Sequence, residues 1–412
     1  MLGPPTLARE FLLSLPIDTI AVLPAAQLQD ADWRAWSELQ LRHESFEAPS
    51  FRPEYAQALL PLRPYLRIAV GSSNGRKVAF LPFVVDSRRH AYPIGQWLMS
   101  FQGIVQDPCY KIEARAWLEA TGIRQFRFDR LVNPQAGFGN NILSTAPSPV
   151  IDLSHGYAGY LQDLKTRGSG LIKRLEQKRR HAARALASVE FADEVLFPDS
   201  LQLLIAWRRQ RNREILASDF LSVPWVTQFM EVLCQQRHKL FRGRLFVLRF
   251  GNHPVAALLG MQTGDVFECV VTAFNQQYAH YSPGLLLFHL LSSEAEHYGI
   301  KRIHLTRGTE HFKERFENTE VTVADAIIGQ SATSRQMNRG LLALRKRVWN
   351  TSLGRPARRL WRRVSRAVES VTGDDHTWIE VDQAVEGPSA PKSKPLPSDE
   401  LTTSINPRQR VD

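Results

Sequence analysis

Two ionisable residues in the carboxyl-side half could move a proton: Glu268, inside the apolar run 266–274, and His304, at the end of the short run 301–305. A carboxylate or imidazole beside an attacking hydroxyl or amine can take its proton, and the ordinary imidazole pKa of ~6.5 suits transfer at neutral pH. Glu268 alternates with Phe267 and Cys269, so it reads either as a base facing a cleft or as a solvated strand residue. His304 reads either as a proton carrier or as a structural strand-end histidine. The polar stretch Thr306-Arg307-Gly308-Thr309-Glu310 follows, with Lys313 just beyond. A guanidinium offers two parallel donors to a phosphate or carboxylate, so Thr306, Arg307, Glu310 and Lys313 are substrate-binding candidates. The competing reading pairs Arg307 with Glu310 inside the loop and leaves Lys313 an exposed helix charge. A third cluster is Tyr281-Ser282-Pro283-Gly284. Ser282 suits an N-cap, Pro283 the first helical turn, and Gly284 a close backbone approach. A helix N-terminus carries about +0.5 of an elementary charge and free N–H groups, so these four residues could seat an anionic pyrophosphate.

The elements around these residues follow from periodicity and turn chemistry. Three apolar runs, 245–250, 255–261 and 266–274, are separated by Gly251-Asn252-His253-Pro254 and Thr263-Gly264-Asp265 and predict an antiparallel meander. A loop, 275–281, opens a helix predicted from Pro283 to just before Gly299, and a strand over 301–305 follows. Upstream, a strand at 19–23, helices at 30–44 and 53–60, and a hairpin of 66–70 with 78–85 are expected. A helix over 109–120 and a strand at 125–128 complete the first half, with Trp33 and Trp36 read as core. The segment 133–149, rich in Gly, Asn, Ser and Pro, is the expected domain junction, and 150–153 a strand. Helices are predicted over 157–164, 171–186, 198–213 and 223–237, with a strand at 188–191. The second of these helices, with its leader, carries Lys165, Arg167, Lys173, Arg174, Lys178, Arg179, Arg180 and Arg184 against Glu176 alone. It is either a solvated face or a groove wall for an anionic substrate.

The 412 residues suffice for two domains plus extensions, and 43% hydrophobic content supports a packed core. Three cysteines, Cys109, Cys234 and Cys269, share no metal-like spacing and suit a reduced, cytoplasmic compartment. No basic flank precedes an apolar core at the N-terminus, so no secretory leader is expected. No run approaches the ~20 apolar residues of a membrane span. The net charge of +11 is concentrated in residues 331–372, where eleven Lys and Arg face a single acid, Glu369. Within it, 335–371 reads as a pair of basic amphipathic helices, either packed on the domain or lying on an anionic membrane surface, with nucleic acid a weaker reading. Residues 373–412, rich in Pro, Ser and acids, are expected to be disordered. Phosphate-loop, dinucleotide, nucleophile-elbow and His-Glu-x-x-His motifs are lacking, and no metal is expected.

The segment Tyr281–Gly284, the helix toward Gly299, and then His304 through Lys313 with Arg307-Gly308, Glu310 and Phe312-Lys313 resemble the CelD/BcsL family of GNAT-like acetyltransferases of cellulose and exopolysaccharide biosynthesis. The Fem peptidoglycan transferases are relatives of that family. Trp33, the loop 46–51 and Leu81-Pro82-Phe83 resemble it too, so the likeness spans about 20–330. It departs in having His304 where the family tends to have Asp, and Phe316 where Trp is more usual. The resemblance implies a tandem GNAT-like α/β fold, with 1–148 a cofactor-free half and 149–330 the half holding acyl-CoA. It implies acyl transfer from acetyl-CoA to a hydroxyl or amine of a sugar nucleotide or lipid-linked saccharide. In such enzymes the third meander strand often carries a basic carboxylate, here Glu268, and a tyrosine, here Tyr281, often donates to the leaving sulfur. The site expected is therefore Glu268 and His304 for catalysis, Tyr281, Ser282, Pro283 and Gly284 for coenzyme A, and Thr306, Arg307, Glu310 and Lys313 for the acceptor. Two alternatives stay open: a non-catalytic GNAT-like subunit of an envelope assembly, and a Fem-like transferase using charged tRNA. The expected location is cytoplasmic, or peripheral at the inner face of the membrane.

Overall fold

In the computed structural model, residues 15–110, 113–132, 138, 141–215, 219–307, 313–329 and 336 are described. Glu310, the basic stretch 335–371 apart from Gln336, and the acidic tail lie outside the described residues. The chain builds the same series of elements twice. The first series is β1 (Thr19–Pro24), α1 (Asp30–Arg42), α2 (Pro53–Leu59), β2 (Arg67–Ser73), β3 (Arg76–Val85), β4 (His90–Pro93), the two-residue β5 (Val105–Gln106), α3 (Ala114–Thr121), β6 (Gln125–Val132) and β7 (Ile142–Asp152). Two helices, α4 (Gly156–Thr166) and α5 (Leu171–Leu186), link it to the second. That series is β8 (Val189–Asp193), α6 (Pro198–Glu214), α7 (Pro224–Gln235), the two-residue β9 (Arg237–His238), β10 (Phe241–Phe250), β11 (His253–Thr263), β12 (Val266–Phe274), α8 (Pro283–Ser293), β13 (Arg302–His304), α9 (Lys313–Phe316) and β14 (Thr319–Ile328).

All principal strands join one mixed sheet in the order β1-β2-β3-β4-β6-β14-β7-β13-β12-β11-β10-β8. Each half contributes an antiparallel meander whose last strand pairs in parallel with the next, β4 with β6 and β12 with β13. The halves exchange their closing strands. β7 follows β6 in sequence but pairs with β13, and β14 follows β13 but pairs with β6, while β7 and β14 pair with each other. Position 148, the junction read from the sequence, lies inside β7. Its Ser/Pro-rich composition hid a strand, because Pro147 and Pro149 at alternate positions remove donors on one edge only.

One apolar core crosses the middle, joining Trp36, Tyr55 and Phe80 of the first half to Phe229, Phe241 and Leu259 of the second. Tyr55 and Phe229 meet edge to face at 5.3 Å. On the opposite side of the sheet, α3 covers the first half and α5 with α8 the second. Two helices are shorter than expected. Cys109 is exposed in a turn and the helix there is Ala114–Thr121. α8 ends at Ser293, and tight turns lead to Gly299 at φ +66. Among the described residues, no helix is long and apolar enough to cross a membrane.

Because the closing strands and one core are shared, neither half completes its own sheet. Residues 142–329 expressed alone should bind a hydrophobic dye and unfold without a cooperative transition, whereas residues 15–329 should give a single one; cooperative melting of the fragment would contradict the exchange.

Candidate functional site

β12 and β13 stay in register for three positions, Val266 with Arg302, Phe267 with Ile303 and Glu268 with His304, and then diverge. Beyond that point a cavity of about 70 Å3 opens between them. Cys269 to Thr272 of β12 line one wall, Leu305 and Thr306 the other, and Phe288, Arg208, Phe220 and Lys313 close the sides. A β-bulge lies in the wall, since Leu259 of β11 faces Val271 while Gly260 faces Cys269, leaving Val270 as the extra residue. A bulge leaves its extra residue out of the ladder, and Val270 is also one of the residues that line the cavity. Gly260 makes this close approach possible: a Cβ there would lie 2.2 Å from the Phe267 ring and 2.6 Å from the Glu268 carbonyl oxygen.

The corresponding opening in the first half is filled. After β4 the chain returns so that Gln102 pairs with β6, its N–H donating to the Arg130 carbonyl at 2.8 Å and its carbonyl accepting from Val132 at 2.9 Å. Its side-chain carbonyl accepts from the Asp129 and Arg130 amides. The apolar gap left near α3 measures about 10 Å3, too small for more than a single water.

Residues 169–314 match the family model described as an acetyltransferase (GNAT) domain. The match covers the half with the open splay, and the first half repeats its strand order. The chain is thus a tandem GNAT-like mixed α/β protein. No curated protein matches it. Among solved structures, the C-terminal domain of a protein assigned as a lysylphosphatidylglycerol synthetase from Agrobacterium fabrum is similar at 15% identity and TM-score 0.47, over 79% of this chain and 98% of that one. FemX is similar at 10% identity and TM-score 0.49, over 74% and 98%. A tandem GNAT protein from the clavulanic acid biosynthesis pathway is similar at 11% identity and TM-score 0.41, over 76% and 99%.

The pair expected to be catalytic does come together, as register partners at the closed end of the splay, though neither residue lines the cavity. Glu268 has no exposed surface. Its carboxylate accepts the Ser50 amide at 2.9 Å and the Ser100 amide at 2.5 Å, both from the first half. It faces the seam between the halves and not solvent. Burial is the largest influence and raises its pKa above the ordinary value, against the two amide bonds and the nearby His304, which lower it. His304 is equally buried, with its Nε2 3.1 Å from Oε1 of Glu47 and its ring edge-on to Phe101 at 4.8 Å. The other Glu47 oxygen pairs with Arg302.

The residues expected to hold the cofactor surround the start of α8. Tyr281 is buried against Phe250 and His181 at 5.5 and 5.4 Å between ring centres. Ser282 precedes the helix at φ +57, and its hydroxyl does not cap it. Instead that oxygen accepts from Lys178 of α5 at 2.6 Å, and the same ammonium donates to the His280 carbonyl at 2.8 Å. Pro283 occupies the first turn, and a Cβ on Gly284 would sit 3.3 Å from the Phe274 ring. Of the basic run on α5, Lys178 therefore turns inward, while Lys173, Arg174, Arg180 and Arg184 are exposed.

Of the acceptor candidates, Thr306 and Lys313 line the cavity. Lys313, 6% exposed, donates to the Thr306 carbonyl and hydroxyl, both at 3.2 Å. Arg307 is committed elsewhere: its guanidinium bonds both oxygens of Asp325 in β14 and the Asp129 carbonyl. That pairing fixes Arg307, while Glu310, its partner in the alternative reading, lies outside the described residues. Glu47, Arg208 and the bulge at Val270 were not singled out from the sequence, whereas Lys178 was, within the basic run read as a solvated face or a wall for an anionic substrate. Glu47 lay in a loop noticed for other reasons, and a bulge has no side-chain signature. Among the described residues no group of His, Cys, Asp and Glu could hold a metal.

Two substitutions test this geometry. Gly260→Ala should cost about 1–3 kcal/mol in urea denaturation, since its methyl must displace strand backbone; a neutral effect would contradict the close approach. A carboxyl with a raised folded-state pKa binds its proton more tightly when folded, so its contribution is present below the unfolded value and lost as pH rises through the folded one. Glu268→Gln cannot titrate. The variant should gain stability relative to wild type as pH climbs from below 4.5, the ordinary value, toward neutrality, and a pH-independent difference would refute the burial argument.

Proposed function

We propose that the protein transfers an acyl group from a coenzyme A thioester, with acetyl-CoA the simplest donor, to a hydroxyl or amine of a sugar nucleotide or lipid-linked saccharide. The observation that carries this reading is the open splay between β12 and β13, with a bulged strand as its wall. A pantetheine arm laid along β12 would find strand backbone left unpaired by the departure of β13, and would bond to it as an added strand does. The Val270 N–H would meet the thioester oxygen where charge develops in acyl transfer. The first turn of α8, with Lys178 above it, would take the pyrophosphate. The first half, whose splay is filled by Gln102, would bind no coenzyme A, giving one donor site per chain.

The acceptor class rests on the resemblance of residues 281–313 to the CelD/BcsL family, which supports a reaction in envelope polysaccharide assembly. A basic stretch at 335–371 would hold the enzyme near an anionic membrane surface that carries lipid-linked acceptors. Thr306 and Lys313, which line the cavity, would contact the acceptor.

Calorimetric titration with acetyl-CoA should show one site per chain. Gly284→Trp, which drives a large side chain against Phe274 and across the α8 N-terminus, should weaken binding by about tenfold or more, roughly 1.4 kcal/mol, with an unchanged circular dichroism spectrum. Equal affinity in the folded variant, or no binding by wild type, would refute the assignment.

A further inference from the structure

The seam between the halves holds a side-chain arrangement that the expected pair of Glu268 and His304 does not explain. Glu47, in the loop between α1 and α2, reaches across 257 positions of sequence to His304 and also pairs with Arg302. A carboxylate oxygen accepts, so the bond at Nε2 requires Nε2 to carry the proton. In the neutral ring Nδ1 is then the basic nitrogen. That Nδ1 is buried and has no partner among the described residues. Leu305 and Thr306, the next two residues, line the cavity, while His304, the last register partner of Glu268, stands at the closed end of the splay without lining it. The charged groups around it come from three elements: Glu47 from the loop, Arg302 from β13 and Glu268 from β12.

We propose that Glu47, supplied by the amino-side half, is a positioning residue that holds His304 in the Nε2–H tautomer so that Nδ1 receives the acceptor's proton, an inference that rests on the acyl-transfer reading above. The acceptor oxygen or nitrogen bonds to the acyl carbon as the carbon–sulfur bond breaks. Because His304 does not line the cavity, the acceptor's proton passes to Nδ1 through one water and returns by the same water to the departing thiolate, so atoms and charge balance. The tandem arrangement then has a chemical purpose: the half with the open splay carries the base, and the half with the filled splay orients it. A purely structural role for Glu47, tying two halves together, predicts loss of stability and nothing else.

The full-length protein is tested with acetyl-CoA as the probe, water as the acceptor and thiol release as the signal. Imidazole nitrogen NMR on protein labelled in histidine reports the tautomer, with His304 assigned by its loss in His304→Gln. In wild type the neutral His304 should show an unprotonated Nδ1. Glu47→Gln should keep the acetyl-CoA Kd within about twofold, lower kcat by about tenfold or more, and move the acid limb of the pH–rate profile to lower pH, because the neighbouring negative charge is gone. Glu47→Asp should recover part of the rate. An unchanged kcat and pH profile in Glu47→Gln, or a rate that falls only with the folded fraction, overturns the role of Glu47 and leaves acyl transfer standing. A proton on Nδ1 in wild type does the same. If acetyl-CoA neither binds nor releases thiol, the acyl-transfer reading falls and this inference falls with it.

Discussion

A carboxylate with no exposed surface, Glu268, is held by two amides of the opposite half, and the site's geometry depends on it. Taking an ionised carboxylate out of water costs several kcal/mol unless its lone pairs are met. Ser50 and Ser100 meet them with N–H groups, and bonds to a charged acceptor contribute about 1.5–3 kcal/mol each. Both donors are buried in the first half, Ser50 in the 3-10 turn Pro49–Phe51 and Ser100 just after the 3-10 turn Gln96–Leu98. The bond therefore fixes where the first half ends and where the splay of the second begins. Parallel pairing with β13 stops at the same residue, so the seam and the closed end of the cavity are one structure.

The two halves show what that fixation makes possible. They share the order of meander, helix, parallel strand and exchanged closing strand, yet they treat the same gap in opposite ways. In the first half Gln102 satisfies β6 with main chain and side chain, and apolar residues fill the remaining space. In the second, the chain leaves β12 through the 3-10 turn Gln276–Tyr281 into α8, and β13 goes unpaired beyond His304 on that side. Unpaired strand backbone in a protein interior is costly without a partner. A strand edge left open in this way can accept an extended, amide-containing chain as an added strand.

Much of this was legible in the sequence where local chemistry decides structure. The meander β10–β12 appears as apolar runs cut by Gly-Asn-His-Pro and Thr-Gly-Asp, and the start of α8 as Ser-Pro-Gly. The end of α8 was not, because Glu294–Tyr298 has helical composition and only the closing turn, with Ile300 bonding back to Ala295 at 2.8 Å, breaks it. β7 was hidden for a different reason: Ser- and Pro-rich residues become a strand there only because β14 arrives from the far end of the chain. The partners of Glu268 are 218 and 168 positions away and use backbone amides, so no side-chain pattern announces them. Glu268 and His304 were found by residue type and strand position. Their surroundings, which decide what they can do, are wholly tertiary.

Backbone strain marks the start of α8 and one wall of the cavity. Ser282 and Thr306 both have positive φ, +57 and +62, a conformation that costs an L-residue about 1–2 kcal/mol and is a genuine outlier for β-branched threonine. Such strain persists only where the surroundings over-determine it, and at each position a lysine supplies the constraint. Lys178 bonds the Ser282 hydroxyl and the carbonyl two residues earlier, while Lys313 bonds the Thr306 hydroxyl and carbonyl. Burial lowers the Lys178 pKa, which means the ammonium there is less well solvated than in water. An anion arriving at the α8 N-terminus would restore what burial removes, so the same lysine that keeps Ser282 in its strained conformation would favour a phosphate beside it.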